Sequence, residues 1–358
     1  MPKIGEVFDM IERIKFGTTK EGAEASIYIL ENSNGMHVQL SDFGALILTI
    51  MLPDKNGCIK DITLGFDELE NYYNTDTGFG AYIGRNANRI KNACVVIDAK
   101  EYRLDKNDGK NNLHSGFNRS HCQMYAADHG KSKEGSYVEF SRISPHLEQG
   151  FPGDLEQKIR YTLTENNELV IDYKMTGSET TVVNPTNHTY FNLNGQDSGD
   201  ILQHELEIYS DSFLEIDEEL IPTGKILSVE NTPMDFRKRH KIGEQIDFHD
   251  VQIIRAKGYD HNYVFANDGK LKRMARLSSK DSGIAMTVYS DLCGMQLYSG
   301  NFLDGVVGKN GTRYKDRAGV CFETQYYPNA CNEERFPSSM LRAGKIYKSR
   351  TIYEFTNS

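Results

Sequence analysis

Short runs of alternating apolar and polar residues, separated by tight-turn signals, recur along this chain almost from end to end. SIYIL (26–30), HVQL (37–40), LILTIML (46–52), KIRYTL (158–163) and ELVIDYKM (168–175) are clear examples, with LQHELEIYS (202–210), IAMTVYS (284–290), GMQLYSG (294–300) and TIYEF (351–355) further on. A period of two sends successive side chains to opposite faces of a strand. In ELVIDYKM this places Leu169, Ile171, Tyr173 and Met175 on one face, with Glu168, Asp172 and Lys174 on the other, and predicts a half-buried strand. PDKNG (53–57), ENNE (165–168) and PTG (222–224) read as tight turns. TENN between KIRYTL and ELVIDYKM predicts an antiparallel hairpin, and the polar HGKSKEGS (129–136) a solvated hairpin tip. Helical periodicity is confined to DELENYY (67–73) and FRKRHKIGEQI (236–246). No regular βα alternation and no phosphate-binding glycine loop is present. The expectation is an all-β protein, a large antiparallel β-sandwich or closed β structure. With neither a linker nor a fixed-period repeat, residues 1–358 read as one domain.

Charge and cysteine usage narrow the function. A net charge of -10 argues against a nucleic-acid backbone as partner, which needs clustered Lys and Arg, and gives no support for an anionic membrane surface. The opening MPKIGEVFDMIERIKFG has no unbroken apolar run, so no secretory leader is predicted, and no stretch is apolar and long enough to span a bilayer. Cys58, Cys94, Cys122, Cys293, Cys321 and Cys331 form no C-x-x-C pair and no zinc-ligand spacing. A cytoplasmic protein with reduced thiols is expected. The chain carries 20 Tyr and no Trp. Tyrosines fill strands, and they also suit a sugar cleft, where a ring faces C–H groups while its hydroxyl bonds another.

Polar chemistry is concentrated in GRNANRI (84–90), NNLHSGF (111–117), NPTNHTYFNLNG (184–195), GYDHNY (258–263), GMQLYSGNF (294–302) and CFETQYYPNA (321–330). In NPTNHTYFNLNG an extended backbone puts His188 and Tyr190 on one face and Asn187 and Thr189 on the other. Such a histidine is either a hydrogen-bonded core or edge residue or a proton-transfer group, and the surrounding Asn184, Asn187 and Asn192 could hold the ring's orientation or receive a ligand. Glu323 follows the apolar Cys321–Phe322. Partial burial there would raise its proton affinity, as a general base near neutral pH requires. The other reading is a structural ion pair, with Arg89 as the obvious donor. Arg85 and Arg89 fall on one side whether the segment is helical or extended, with Asn86 and Asn88 opposite them if extended. His188, His114 and Asp260 could supply three metal ligands in space, but no close-spaced His motif joins them, so no metal is implied.

Taken in order, these segments closely resemble the galactose mutarotase (aldose 1-epimerase) family. The match runs from FGALILTIMLPDKNG (43–57) and DITLGFD (61–67), through FPGDLEQKIRYTL (151–163), IPTG (221–224), PMDF (233–236) and MQLYSGNFLDG (295–305), to FETQYYPNA. The resemblance implies a single β-sandwich with an open cleft, and interconversion of the α and β anomers of free aldoses such as galactose and glucose, without a cofactor. It implies that Glu323 is the general base and His188 the general acid. Arg89, His114, Asp260, Gln296 and Asn88 would hold the sugar. The partner is then a small free aldose, and the chain a monomer or weak homodimer. An enzyme for another sugar or a sugar phosphate, or a non-catalytic carbohydrate-binding protein, are the alternatives. One segment departs from the family pattern. After LHSG, where the family usually has a Lys/Asp stretch leading into a tryptophan, this chain has FNRSHCQMYAADHG (117–130). The nearby cleft wall is expected to differ.

Overall fold

The structure, a computed structural model, describes residues 11–73 and 75–357. The leader expectation therefore falls largely on residues 1–10, outside the described residues. Three large sheets carry the fold. The strands Glu12–Thr18, Glu24–Glu31, His37–Ser41, Leu46–Pro53 and Ile59–Asp61 form an N-terminal meander in chain order. A nine-stranded sheet runs, in spatial order, Ala126–Lys131, Ser136–Ser144, Leu155–Leu163, Glu168–Gly177, Ile346–Asn357, Ile284–Ser290, Lys272–Ser278, Glu205–Ile208 and His240–Lys241. An inner five-stranded sheet has the order Pro222–Ser228, Ser212–Ile216, Asp260–Val264, Gly294–Tyr298, Cys321–Gln325. Neighbouring strands pair antiparallel, as the hairpin signals predict.

The strand Glu168–Gly177 shows why the sequence folds this way. Leu169, Ile171, Tyr173 and Met175 are buried in the main core, as their parity requires. On the other face Asp172 lies opposite Arg350 and takes a two-pronged ion pair from it, at 2.7 and 2.8 Å. Register is fixed because a one-residue slip would exchange those faces. The inner sheet packs against this one: Tyr353 Oη donates to Phe322 O at 3.1 Å, and Thr324 Oγ1 lies 2.5 Å from Thr351 Oγ1.

Two local expectations are corrected. Residues 236–246 are not helical: they hold the short strand His240–Lys241 and a 3-10 turn at Ile242–Glu244. The His240 ring stacks on Phe236 with centroids 4.4 Å apart, and Arg237 turns back onto Asp235, so side-chain contacts over one to five residues replace a helical repeat. The helix lies further on, at Val251–Ala256, where Asp250 caps the Gln252 N–H. PTG is likewise not the turn but the start of the strand Pro222–Ser228. The turn precedes it, where the Asp217 carboxylate accepts the Glu219 and Ile221 N–H groups.

Arg85 and Arg89 do not share a face. Asn88, between them, has φ 60, which breaks the extended run on which the parity rested. Arg85 is 1% exposed and donates to Ser144 Oγ and O, Pro145 O, Pro152 O and Thr181 Oγ1. It ties together three chain segments, around Ser144, Pro152 and Thr181. Arg85→Met leaves those buried acceptors unpaired, so a stability loss of at least about 3 kcal/mol is expected in urea unfolding. A midpoint equal to wild type would contradict that role.

Candidate active site

A cleft of about 430 Å³ opens beside the inner sheet, and its walls include Asn88, Arg89, His114, His188, Asp260 and Glu323. Their origins are scattered through the chain. His188 ends the strand Thr186–His188, which pairs with Ala81–Ile83. Glu323 comes from Cys321–Gln325, directly opposite Gln296 on Gly294–Tyr298. Asp260 opens the strand Asp260–Val264. Antiparallel pairing therefore delivers Asp260, Gln296 and Glu323 to one face from three separate segments.

His188 and Glu323 touch. Nε2 lies 3.6 Å from Oε1, with only 8% and 3% of the two side chains exposed. Burial pushes the imidazole down to about 4 and the carboxyl well above its ordinary value. The nearby Asp260 charge raises the carboxyl further, while Arg89 opposes that rise. Both shifts favour one proton shared by an uncharged pair. Arg89 is not the ion-pair partner of Glu323. Its Nε donates to Asp108 Oδ2 at 2.7 Å, and its Nη1 lies 3.9 Å from Asp260 Oδ2. Gln296 stands behind Asp260, its Nε2 donating to Oδ1 at 2.6 Å.

His114 is held by its neighbour. The Asn88 N–H donates to His114 Nδ1 at 3.2 Å, and the His114 N–H donates to Asn88 O at 3.1 Å. Both residues sit at positive φ, 60 and 50. An occupied Nδ1 lone pair leaves the ring proton on Nε2, so His114 is a neutral donor. Burial, with the charges of His188 and Arg89 adding to it, holds its pKa well below the usual value.

The environment of His188 includes Tyr190, which the sequence placed on its face, and residues it did not single out. Tyr190 stacks on it at 5.0 Å, and the Tyr190 hydroxyl donates to Thr77 O at 2.9 Å. Tyr298 meets its edge at 6.0 Å. Cys321 Sγ lies 3.5 Å from Nδ1. Burial pushes this thiol far up, so it stays S–H, able to donate to a neutral ring or accept from a protonated one. No spacing rule flags Cys321 or Asp108. The shared face of His188 and Tyr190 was the one legible signal. Asn184, Asn187 and Asn192 do not orient the ring: Asn184 accepts the Tyr326 N–H, Asn187 binds Gly80 O, and Asn192 binds Gly199 O and Ala318 O.

His188, Cys321 and Glu323 form the one cluster among the described residues with three potential metal-ligand atoms within 4.8 Å. Cys321 faces Nδ1 and Glu323 faces Nε2, however, and the lone pairs of the two ring nitrogens diverge. One ion cannot occupy both contacts in this arrangement. The departing segment 117–130 supports the cleft from outside and supplies none of the lining residues named for it. Arg119 donates to Thr75 O and pairs with Asp76, two residues of the cleft wall. Ser120 Oγ donates to Tyr82 O at 2.8 Å. The buried His121 is pushed down to about 3.

The aldose 1-epimerase family profile matches residues 26–354. The chain is 39% identical to the galactose mutarotase of Bos taurus over 350 residues, covering 97% of this chain and 98% of that one. It is 34% identical to the aldose 1-epimerase of Escherichia coli (strain K12), over 94% and 96% of the two chains. Among solved structures, an aldose epimerase homologue from C. elegans superposes with a TM-score of 0.84 at 30% identity, covering 93% of this chain and 99% of that one. A galactose 1-epimerase from Lactobacillus acidophilus shares the fold with a TM-score of 0.84 at 24% identity, over 98% and 99%.

The charge states of the two cleft histidines can be read directly. Nitrogen-15 NMR at pH 6 should show a neutral His188, and a neutral His114 protonated on Nε2. An imidazolium signature for both rings at that pH would overturn the electrostatic description.

Proposed function

This chain belongs to the aldose 1-epimerase family, whose reaction interconverts the anomers of aldoses, and we propose that it acts on free aldohexoses such as galactose and glucose, with Glu323 as base and His188 as acid. The observation that carries this reading is the 3.6 Å contact between His188 Nε2 and Glu323 Oε1 in a buried cleft wall. The anomeric O1 and the ring O5 are bonded to the same carbon. An acid and a base that touch can therefore address both oxygens of one hemiacetal.

Ring opening needs two proton transfers. The Glu323 carboxylate takes the O1 proton, the O1 lone pair forms the carbonyl, and the C1–O5 bond breaks with its electrons going to O5. His188 Nε2 delivers a proton to O5, so no free alkoxide forms. Rotation about C1–C2 then presents the other carbonyl face. Closure reverses both transfers and returns each residue to its starting protonation state. The two side chains balance the protons between them, so the cycle calls for no cofactor. The reactive form is carboxylate with imidazolium, and the Arg89 charge favours its carboxylate half. The neutral His114 supplies an Nε2–H donor that requires no charge in the cleft. Asp260 accepts from sugar hydroxyls, with Gln296 fixing it from behind and Asn88 holding His114 in place.

A sugar phosphate fits this cleft less well. Arg89 is the one permanent cation among the described lining residues, and Asp108 and Asp260 already flank it. The large main core, which draws on all three sheets, supports the reading of 1–358 as one catalytic domain. Free cysteines support a reducing, cytoplasmic setting.

Polarimetry on fresh α-D-galactose and α-D-glucose tests the proposal. The protein should hasten relaxation to anomeric equilibrium, and Glu323→Gln or His188→Asn should each lower kcat by about 10²- to 10⁴-fold. Relaxation no faster than the buffer blank would sink the activity, and a fully active E323Q would sink the base assignment. The pH profile should be bell-shaped. Activity falls on the acid side as His188 and Glu323 both become protonated, and on the alkaline side as the pair loses its last proton. A profile flat through both limbs would be incompatible with the shared proton.

A further inference from the structure

The strands Asp260–Val264, Gly294–Tyr298 and Cys321–Gln325 alternate between two faces. On the face that carries Asp260 and Glu323 to the cleft, Asn262 stands opposite Gln296 and Gln296 opposite Glu323. One step further from the cleft, Val264, Gly294 and Gln325 form the next row. The amides are deeply buried, with Asn262 at 2%, Gln296 at 3% and Gln325 at 0% exposure. Their polar atoms are poorly served by protein. Asn262 Oδ1 and Nδ2, Gln325 Oε1 and Nε2, Gln296 Oε1 and Glu323 Oε2 all lack a protein hydrogen-bond partner.

Each such orphan would cost the fold the desolvation of a polar group with nothing returned. Finding them on adjacent positions of a single sheet face is the feature that needs a cause. Glycine at 294 lets the neighbouring groups close over the row: a Cβ there would lie 2.7 Å from Asn262 Oδ1, 2.9 Å from Gln325 O and 3.0 Å from Tyr327 Cδ1. Leu214, Tyr327 and Phe336 form an apolar cluster at the end of this face. Unpartnered donors and acceptors side by side on one buried face suit water, which is both.

We propose that Asn262 and Gln325 are positioning residues that hold Glu323 from behind through a small enclosed cluster of water. This rests on the reading of Glu323 as the base. A water molecule donates to Oε2, and the two amides fix that water by donating to and accepting from it and its neighbours. The carboxylate gains hydrogen bonds on the side away from the sugar, while Oε1 stays turned toward His188. The other charged or titratable groups around Glu323 are His188 from Thr186–His188, Tyr190 just after it, Arg89 from Arg89–Ile90, Asp260 and Tyr298 on the neighbouring strands, Cys321 on its own, and Tyr353 from Ile346–Asn357. Asp260 disfavours the carboxylate and Arg89 favours it. The water cluster acts in the same direction as Arg89.

The test uses Asn262→Leu and Gln325→Met, which keep side-chain volume and remove the amide. Less carboxylate stabilisation leaves less of the reactive form, and the pair keeps its last proton to higher pH. In each variant kcat should fall about tenfold, with the alkaline limb of its pH profile moving up by about one unit and KM within about twofold of wild type. Asn262→Ser, which retains a group able to hold water, should recover most of the loss. A high-resolution crystal structure of the wild-type protein should show ordered water bridging Glu323 Oε2 to both amides. A dry space in that crystal structure, or folded variants with an unmoved limb and wild-type kcat, would overturn the proposal. A lower melting temperature with an unmoved limb would reduce the amides to a structural role, and also overturns it. If E323Q is inactive while N262L and Q325M behave as wild type, only this inference fails. If E323Q is active, the base assignment itself fails, whatever the crystal shows.

Discussion

Three strands of the inner sheet, Asp260–Val264, Gly294–Tyr298 and Cys321–Gln325, are buried on both faces, and that constraint shapes everything around them. A strand alternates its side chains whatever their chemistry, so a sheet without a solvated side must send polar residues into protein or into a cleft. In Cys321–Gln325, Phe322 and Thr324 go to the nine-stranded sheet, where Tyr353 and Thr351 receive them. Cys321, Glu323 and Gln325 then have no choice but the opposite face. The same parity turns Asp260 and Asn262, and Gln296 and Tyr298, to that side. A carboxylate at the floor of the cleft is thus a consequence of core packing as much as of local sequence.

Burial then sets the electrostatics. Glu323 and His188 are moved in opposite directions by one cause, the loss of water around a charge. Their separate shifts converge on a pair that prefers to carry one proton, which is what a reaction with one transfer in and one transfer out needs. The permanent charges are arranged to preserve this. Arg89 is flanked by Asp108 and Asp260, and Asp260 is in turn held by Gln296. A neutral sugar, the substrate class proposed above, would enter without upsetting that balance, whereas a phosphate would bring charge that no free cation among the described lining residues answers.

Much of the framework was legible. The alternation in ELVIDYKM assigned Leu169, Ile171, Tyr173 and Met175 to the core, because a period of two is a local property of the chain. The face shared by His188 and Tyr190 was readable for the same reason, and their rings stack. Local pattern failed where a single backbone angle or a short side-chain contact overruled it. Asn88 at positive φ sent Arg85 and Arg89 to different places, and Asp217 moved a turn away from PTG. The helix Val251–Ala256 is too short for its periodicity to stand out.

By itself, the sequence determined the all-β class, most of the strands and, through the order of its polar motifs, the family and the residues worth watching. Those are properties of alternation, turn chemistry and ordered motifs, all written along the chain. The tertiary structure alone decided the partners. Arg89 took Asp108 instead of Glu323, Cys321 came to rest beside His188 Nδ1, and Asn262 and Gln325 lined up behind Glu323. The first two contacts join residues 19 and 133 apart in the chain, and the last depends on which of two sheet faces is covered. Both are settled only when the strands pair and the sheets close on one another.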